Sequence, residues 1–211
     1  VSARTGRFIA FEGGEGAGKS TQARLLAEGL RTRGLMVVVT REPGGTPGAE
    51  AIRALLLHPP GEPGWTPQAE ALLFAAARAD HVARLIRPAL ERGEWVICDR
   101  FVDSSRAYQG GAGRLGDEAI TALHAFGSDG LRPDRVILLE GDEAALAGRL
   151  AARGQAADAI EGRGVDYHRA VAAGFRALAE ADPAGFARID AMGAPEEVHA
   201  RILAALADLL A

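Results

Sequence analysis

The chain holds a single lysine, Lys19, and a single cysteine, Cys98, among 211 residues, and only 5% of its side chains are aromatic. One cysteine excludes an internal disulfide and any cysteine-based metal site, and it suits a reducing compartment, the cytoplasm. Cys98 closes the apolar run Trp95-Val96-Ile97 and so reads as a buried strand residue. Apolar runs are broken by charge well short of the roughly 18 residues a membrane span needs, and no signal segment is evident. An excess of positive charge is also missing. The formal net charge is −4, which argues against a general nucleic-acid binder. The histidines (His58, His81, His124, His168, His199) are scattered without ligand spacing and none is assigned to a metal. No Gly-x-Ser-x-Gly elbow occurs, which removes that route to a serine hydrolase.

With 48% hydrophobic residues the chain is long enough to bury a full core, and residues 1–211 read as one domain. All cationic side chains but one are arginine, so the exception is informative. Lys19 sits in Gly13-Gly14-Glu15-Gly16-Ala17-Gly18-Lys19-Ser20. A glycine-rich phosphate loop needs a compact ammonium on a slim stem to reach the β- and γ-phosphates, and a planar guanidinium fits there poorly. The apolar run 7–12 before the loop suits a buried strand, and Leu25, Leu26 and Leu30 behind it have helical spacing. Strand, glycine loop and helix together cradle phosphate oxygens on backbone N–H groups. Residues 13–20 are therefore assigned to ATP, with Thr21 as a further phosphate contact and Ser20 as a Mg²⁺ ligand through its hydroxyl.

Strand patterns recur at 35–40, 94–98, 134–140 and 186–190. Helical patterns fall at 18–33, 47–57, 67–91, 102–109, 116–126, 142–153, 165–181 and 195–210. Such alternation predicts an α/β fold: a five-stranded parallel sheet covered by helices on both faces, a three-layer α/β/α arrangement. Ligands in these sheets gather at the carboxyl ends of the strands, where Glu15, Arg41-Glu42-Pro43, Asp99-Arg100 and Glu140 fall. Residues 58–66 are rich in proline and glycine and read as a surface connection. Residues 153–164, with Arg153 and Arg163 among small residues, read as a mobile lid carrying charge.

Asp99-Arg100 admits a plain surface ion pair, but its apolar flank favours the cleft, where Asp99 holds Mg²⁺ through water and Arg100 forks onto phosphate. Phe74 and Arg78 lie one helical turn apart. Taken alone, the first would be core and the second a solvated charge. Residues 104–111 (Ser-Ser-Arg-Ala-Tyr-Gln-Gly-Gly) add hydroxyls, a phenol and an amide close behind Arg100.

Taken together, Phe-Glu-Gly-Gly-Glu-Gly-Ala-Gly-Lys-Ser-Thr (11–21), Thr-Arg-Glu-Pro-Gly-Gly-Thr (40–46), Leu-Leu-Phe-Ala-Ala-Ala-Arg (72–78), Asp-Arg-Phe (99–101), Ser-Ser-Arg-Ala-Tyr-Gln-Gly (104–110) and Arg-Pro-Asp (132–134) resemble bacterial thymidylate kinases in order and spacing. The resemblance covers essentially the whole chain. It implies a P-loop nucleoside monophosphate kinase, a homodimer in this family, that moves the γ-phosphoryl of ATP to dTMP with Mg²⁺. It also implies roles for the acceptor site. Phe74 stacks on thymine, Arg78 and Gln109 hydrogen-bond the base, and Ser105 lies beside it. Tyr108 packs under the deoxyribose, Arg53 and Arg100 hold the monophosphate, Glu42 sits on the phosphate and metal side, and Glu15 faces the 3′-hydroxyl. The P-loop carries no arginine, so the family pattern draws its catalytic arginine from the lid. There the chain departs: Asp158-Ala159-Ile160-Glu161 has alanine where the family commonly has arginine. Arg153 is the expected replacement, with Arg149 and Arg163 as the alternatives. A different small-molecule kinase, or a P-loop switch ATPase with a protein partner, would share the loop but not the acceptor residues.

Overall fold

The first strand, β1 (Phe8–Gly13), is buried along its whole length, and its residues alternate between two cores. Ile9 and Phe11 pack with Leu26, Leu30 and Ile202, whereas Phe8 and Ala10 pack with Val82, Ile86 and Phe101. A strand that is apolar on both faces has to be central, with helices above and below. The computed structural model, which describes residues 6–152 and 159–210, has that arrangement. β1, β2 (Val37–Arg41), β3 (Trp95–Asp99), β4 (Arg135–Glu140) and β5 (Phe186–Asp190) form one sheet in the order β2-β3-β1-β4-β5, and every pairing is parallel. The expected five-stranded parallel sheet is present, with strand limits within two residues of those read from the sequence.

One face is covered by α1 (Lys19–Thr32) and α9 (Pro195–Ala205), followed by the short α10 (Ala207–Leu210). The other is covered by the extension that follows α3 (Pro67–His81), by α5 (Val102–Ser105) and by α8 (Val165–Ala181). Two threonines start the helices that frame the cleft. Thr46 caps α2 (Pro47–Leu57) by accepting from Ala49 N at 3.2 Å, and Thr66 caps α3 by accepting from Ala69 N at 3.3 Å. α6 (Asp117–Ser128) packs against α3, and α7 (Glu143–Ala152) crosses the glycine loop. Among the described residues no helix is long and apolar enough to cross a membrane.

Two expected helices are not uniform. The stretch read as one helix over 67–91 passes through a π turn at Val82–Ile86 before α4 (Arg87–Glu91). Pro88 lacks the N–H that would bond to residue 84, and the wider turn lies just ahead of it. The helix read over 102–109 becomes π-helical at Arg106–Ala112, with Gly110-Gly111 in its last turn. Such turns recur at functional sites because they re-aim side chains, and this one carries Tyr108 and Gln109. Of the expected lid, residues 153–158, with Arg153 and Asp158, lie outside the described residues.

Candidate active site

The carboxyl ends of β1, β2 and β3 open into a cavity of about 290 Å³. Its walls bring together Glu15, Lys19 and Ser20 from the glycine loop and α1, Asp99 and Arg100 from β3, and Glu42 and Arg53 from the β2–α2 region. Phe74 and Arg78 of α3 and Ser105, Tyr108 and Gln109 complete it. Residues separated by some 90 positions in the chain thus share one cleft, because a parallel sheet delivers all its strand ends to the same edge.

The loop end is built for anions. Gly18 precedes α1 with φ 88°, and no side chain caps the helix, so the first-turn N–H groups are left for a ligand. Gly16 has φ 77°, and a Cβ there would stand 2.3 Å from the Leu146 carbonyl of α7, so only glycine lets α7 approach this closely. Lys19 Nζ donates to the carbonyls of Gly14 (2.8 Å) and Gly13 (3.2 Å), curling back along the loop. Burial, followed by the neighbouring Arg100 guanidinium, draws its ammonium below the ordinary lysine pKa. Ser20 Oγ donates to Asp99 Oδ2 at 2.6 Å, so a hydroxyl and a carboxylate stand side by side next to the lysine. Hard oxygen donors of that kind fit Mg²⁺, which otherwise takes phosphate oxygens and water.

Arg100 is held at φ 70°, a left-handed backbone that a non-glycine residue seldom adopts, at a cost of about 1–3 kcal/mol. Glu12, fully buried at the end of β1, fixes it there. Glu12 Oε1 accepts from Phe101 N (2.8 Å) and Ser104 N (3.0 Å), and Oε2 accepts from the Ser104 hydroxyl (2.6 Å). Burial raises the Glu12 pKa to about 7 although Arg100 works against it. The guanidinium of Arg100 then reaches Glu15 Oε1 (2.5 Å), Gly13 O (3.2 Å), Ser104 Oγ (3.0 Å) and the Tyr108 hydroxyl (3.2 Å). It lies 5.1 Å from the centre of the Tyr108 ring. Burial disfavours its charge, but Glu15, Tyr108, Glu12 and Asp99 outweigh that and raise its pKa further. Tyr108 donates to Glu15 Oε1 at 3.1 Å, and burial pushes its phenol pKa up.

At the opposite end Arg78 is 3% exposed and tightly held. Its Nε donates to Glu42 Oε2 (2.7 Å), and Nη2 donates to Ser105 Oγ (2.9 Å) and Phe101 O (3.3 Å). Glu42 Oε1 faces His81 Nδ1 at 3.0 Å, and His81 Nε2 meets the Thr40 hydroxyl at 2.7 Å. Gly45, with φ 88°, lets this pair close, since a Cβ there would lie 2.5 Å from both His81 Nε2 and Thr40 Oγ1. Glu42 was expected to face phosphate and metal. It lines the cavity, and its oxygens meet Arg78 and His81, so it also anchors Arg78. Arg53 Nη1 donates to Pro43 O at 2.8 Å.

Of the three lid arginines considered, two are described. Arg149 donates to Ala191 O at 2.9 Å, and Arg163 pairs with Glu70 and Tyr167. Both guanidinium groups thus meet partners outside the loop. Ile160 and Glu161, next to the alanine that interrupts the family pattern, line the cavity.

Sequence reasoning gave no role to Glu12, Thr40, Glu70 or His81. A signal existed for two of them. Glu12 is a charge in an otherwise apolar strand, and Glu70 stands one turn before Phe74 on the face that also carries Arg78. His81 gave none, because a buried histidine in a hydrogen-bonded network has no spacing rule.

The thymidylate kinase family model matches residues 11–202. A thymidylate kinase of Rhizorhabdus wittichii is 60% identical over 206 residues, covering 97% of this chain and 99% of that protein. One from Gluconobacter oxydans is 50% identical over 207 residues, covering 97% and 96%. The crystal structure of thymidylate kinase from Ehrlichia chaffeensis superposes with a TM-score of 0.77 at 32% identity, covering 96% of this chain and 99% of that one.

Proposed function

Because the chain belongs to the thymidylate kinase family, phosphotransferases that use ATP to convert dTMP to dTDP, we propose that the cleft described above is where it performs this reaction and that its two ends divide the work. Lys19, Ser20, Thr21 and the amides of residues 13–18 hold the ATP phosphates. Arg100 and Arg53 hold the dTMP phosphate. Phe74 stacks on the thymine, Arg78 and Gln109 read its edge, Ser105 lies beside it, and Tyr108 with Glu15 supports the sugar. The observation that carries this reading is the shared cavity, with a P-loop lysine at one end and an aromatic, an arginine and an amide at the other.

A phosphate oxygen of dTMP attacks the γ-phosphorus, and the bond to the β–γ bridging oxygen breaks. The acceptor is already an anion at neutral pH, so no general base is needed. Catalysis reduces to aligning two polyanions that repel and neutralising charge on the transferred group. The left-handed backbone of Arg100, clamped by Glu12, sets the acceptor arginine before substrate arrives. Ser20 directly and Asp99 through water would hold Mg²⁺, which would supply charge neutralisation on the phosphates. Arg153, which lies outside the described residues, is our choice for the lid arginine, because Arg149 and Arg163 have partners elsewhere. A positioned arginine of that kind contributes on the order of 10³-fold in related phosphoryl transfers.

We also read residues 1–211 as one kinase domain, active in the cytoplasm as a homodimer. Leu55 of α2, Leu72 of α3 and Phe126 of α6 are large exposed apolar side chains on helices that pack side by side, and Phe126 is 92% exposed. The buried thiol of Cys98 suits a reducing setting.

The test is a coupled assay of ADP release with dTMP, dUMP and dCMP as acceptors. A pocket for the thymine methyl contributes about 1–3 kcal/mol against dUMP, and a reversed donor–acceptor edge penalises dCMP more. Equal kcat/KM for dCMP and dTMP contradicts the assignment of Phe74, Arg78 and Gln109.

A further inference from the structure

Glu70 lies behind Gln109 of the acceptor pocket, 9% exposed, on the face of α3 that carries Phe74 and Arg78. Both of its oxygens have partners. Oε1 accepts from Gln109 Nε2 at 2.9 Å, and Oε2 accepts from Arg163 Nη2. Arg163 is itself fixed. Its other terminal nitrogen donates to the Tyr167 hydroxyl, its guanidinium lies 4.7 Å from the centre of that ring, and the hydroxyl donates to Tyr108 O at 3.1 Å. Glu70 is therefore clamped between the pocket and the start of α8.

The clamp has a chemical consequence for Gln109. An amide is ambiguous, because rotation of its last torsion exchanges a donor for an acceptor in nearly the same place. A carboxylate only accepts, so Glu70 Oε1 obliges Gln109 to turn its NH₂ group toward α3. The carbonyl Oε1 is then the end left for the cavity that Gln109 lines. Arg78 beside it is anchored through Nε and Nη2, which leaves Nη1, a donor, without a partner among the described residues. The pocket wall thus presents one donor and one acceptor in a fixed sense. Thymine offers the complement, a carbonyl O4 beside N3–H. Cytosine offers the reverse, an amino group beside a bare N3.

We propose that Glu70 is a specificity-determining residue that acts by positioning: it fixes the amide sense of Gln109, so that the pocket accepts a 4-oxo pyrimidine and rejects a 4-amino one. This rests on the reading that Arg78 and Gln109 face the base. Replacing Glu70 by glutamine keeps the volume but supplies a partner that can donate or accept. Gln109 is then free to turn over and meet either base.

The experiment measures Kd for dTMP and dCMP by competition binding in four forms: the parent, Glu70→Gln, Gln109→Met and the double variant. The ratio of the dCMP to the dTMP constant is expected to fall about tenfold or more in Glu70→Gln, since mismatched polar groups in a dry pocket are what rejects cytosine. A loss of packing alone weakens both ligands together and leaves the ratio in place. In the Gln109→Met background, Glu70→Gln is expected to change the ratio less than twofold, because no amide remains to orient. An unchanged ratio in Glu70→Gln, with a lowered one in Gln109→Met, overturns the role of Glu70 and keeps the base-reading role of Gln109. An equal fall in both backgrounds also overturns it. A ratio untouched by Gln109→Met overturns the base assignment itself.

Discussion

Replacing Glu42 by glutamine removes the counter-charge of a guanidinium that has almost no solvent contact. The side chains of Arg78 and Glu42 are each 4% exposed, and they meet at 2.7 Å. Breaking a buried pair from one side typically costs about 3–5 kcal/mol, because the surviving charge is left uncompensated. Here the low end applies, about 3 kcal/mol, since Ser105 Oγ and Phe101 O still accept from Nη2 and glutamine retains one acceptor for Nε. For a chain of this length, that is a fall in Tm of about 6–12 °C. The assay is urea unfolding without nucleotide, followed by circular dichroism, on Glu42→Gln, Arg78→Met and the double variant. The double variant is expected to be no less stable than Glu42→Gln, because removing the second charge removes the penalty. A loss below 1 kcal/mol for Glu42→Gln, or strictly additive losses in the double variant, refutes the view that Glu42 anchors Arg78.

Lys19 carries the only ε-amine in the chain, so an amine-reactive reagent marks it and the N-terminus alone. Labelling at Lys19 should abolish activity and be blocked by MgATP far better than by dTMP, and peptide mapping reads both. Lys19→Arg should lower kcat/KM at least a hundredfold, about 2.7 kcal/mol, and normal turnover contradicts the assignment. Glu12 should titrate near pH 7 in the folded protein, seen as its ¹³C carboxyl shift, and a midpoint near 4.5 refutes its burial. The sign follows from the raised pKa. Between about 4.5 and 7 the folded chain keeps a proton that the unfolded chain has released, so this group's contribution to stability falls as pH rises through that window and levels off above it. Arg153→Ala should lower kcat at least tenfold with little change in dTMP affinity, as expected of a cation acting on transition-state charge. Near-normal kcat in that variant moves the role to another arginine.

The sheet was legible because burial on both faces leaves an unambiguous trace, short apolar runs such as 94–98 ended by glycine or charge. The phosphate loop was legible because a lone lysine in an arginine-rich chain marks a position that a guanidinium does not fill. The acceptor wall was only partly legible. Phe74 and Arg78 could be placed on one helix face, but what holds them could not. Arg78 is held by Glu42 from the end of β2 and by Ser105 and Phe101 from beyond β3, and a buried network that joins distant elements has no sequence period. The π turns escaped for a related reason: one extra residue per turn leaves the apolar spacing almost unchanged. The partners of Glu42 were not legible because the strand end fixes where a residue stands but not which way its carboxylate turns.

The division of the cleft into a donor and an acceptor end is tested by a crystal structure with dTMP and a non-hydrolysable ATP analogue bound together. That division predicts thymine stacked on Phe74 with O4 on Arg78 and N3–H on Gln109 Oε1, the monophosphate on Arg100 and Arg53, and the triphosphate over Lys19. Thymine bound away from Phe74, or the monophosphate resting on Lys19 in place of Arg100, contradicts it.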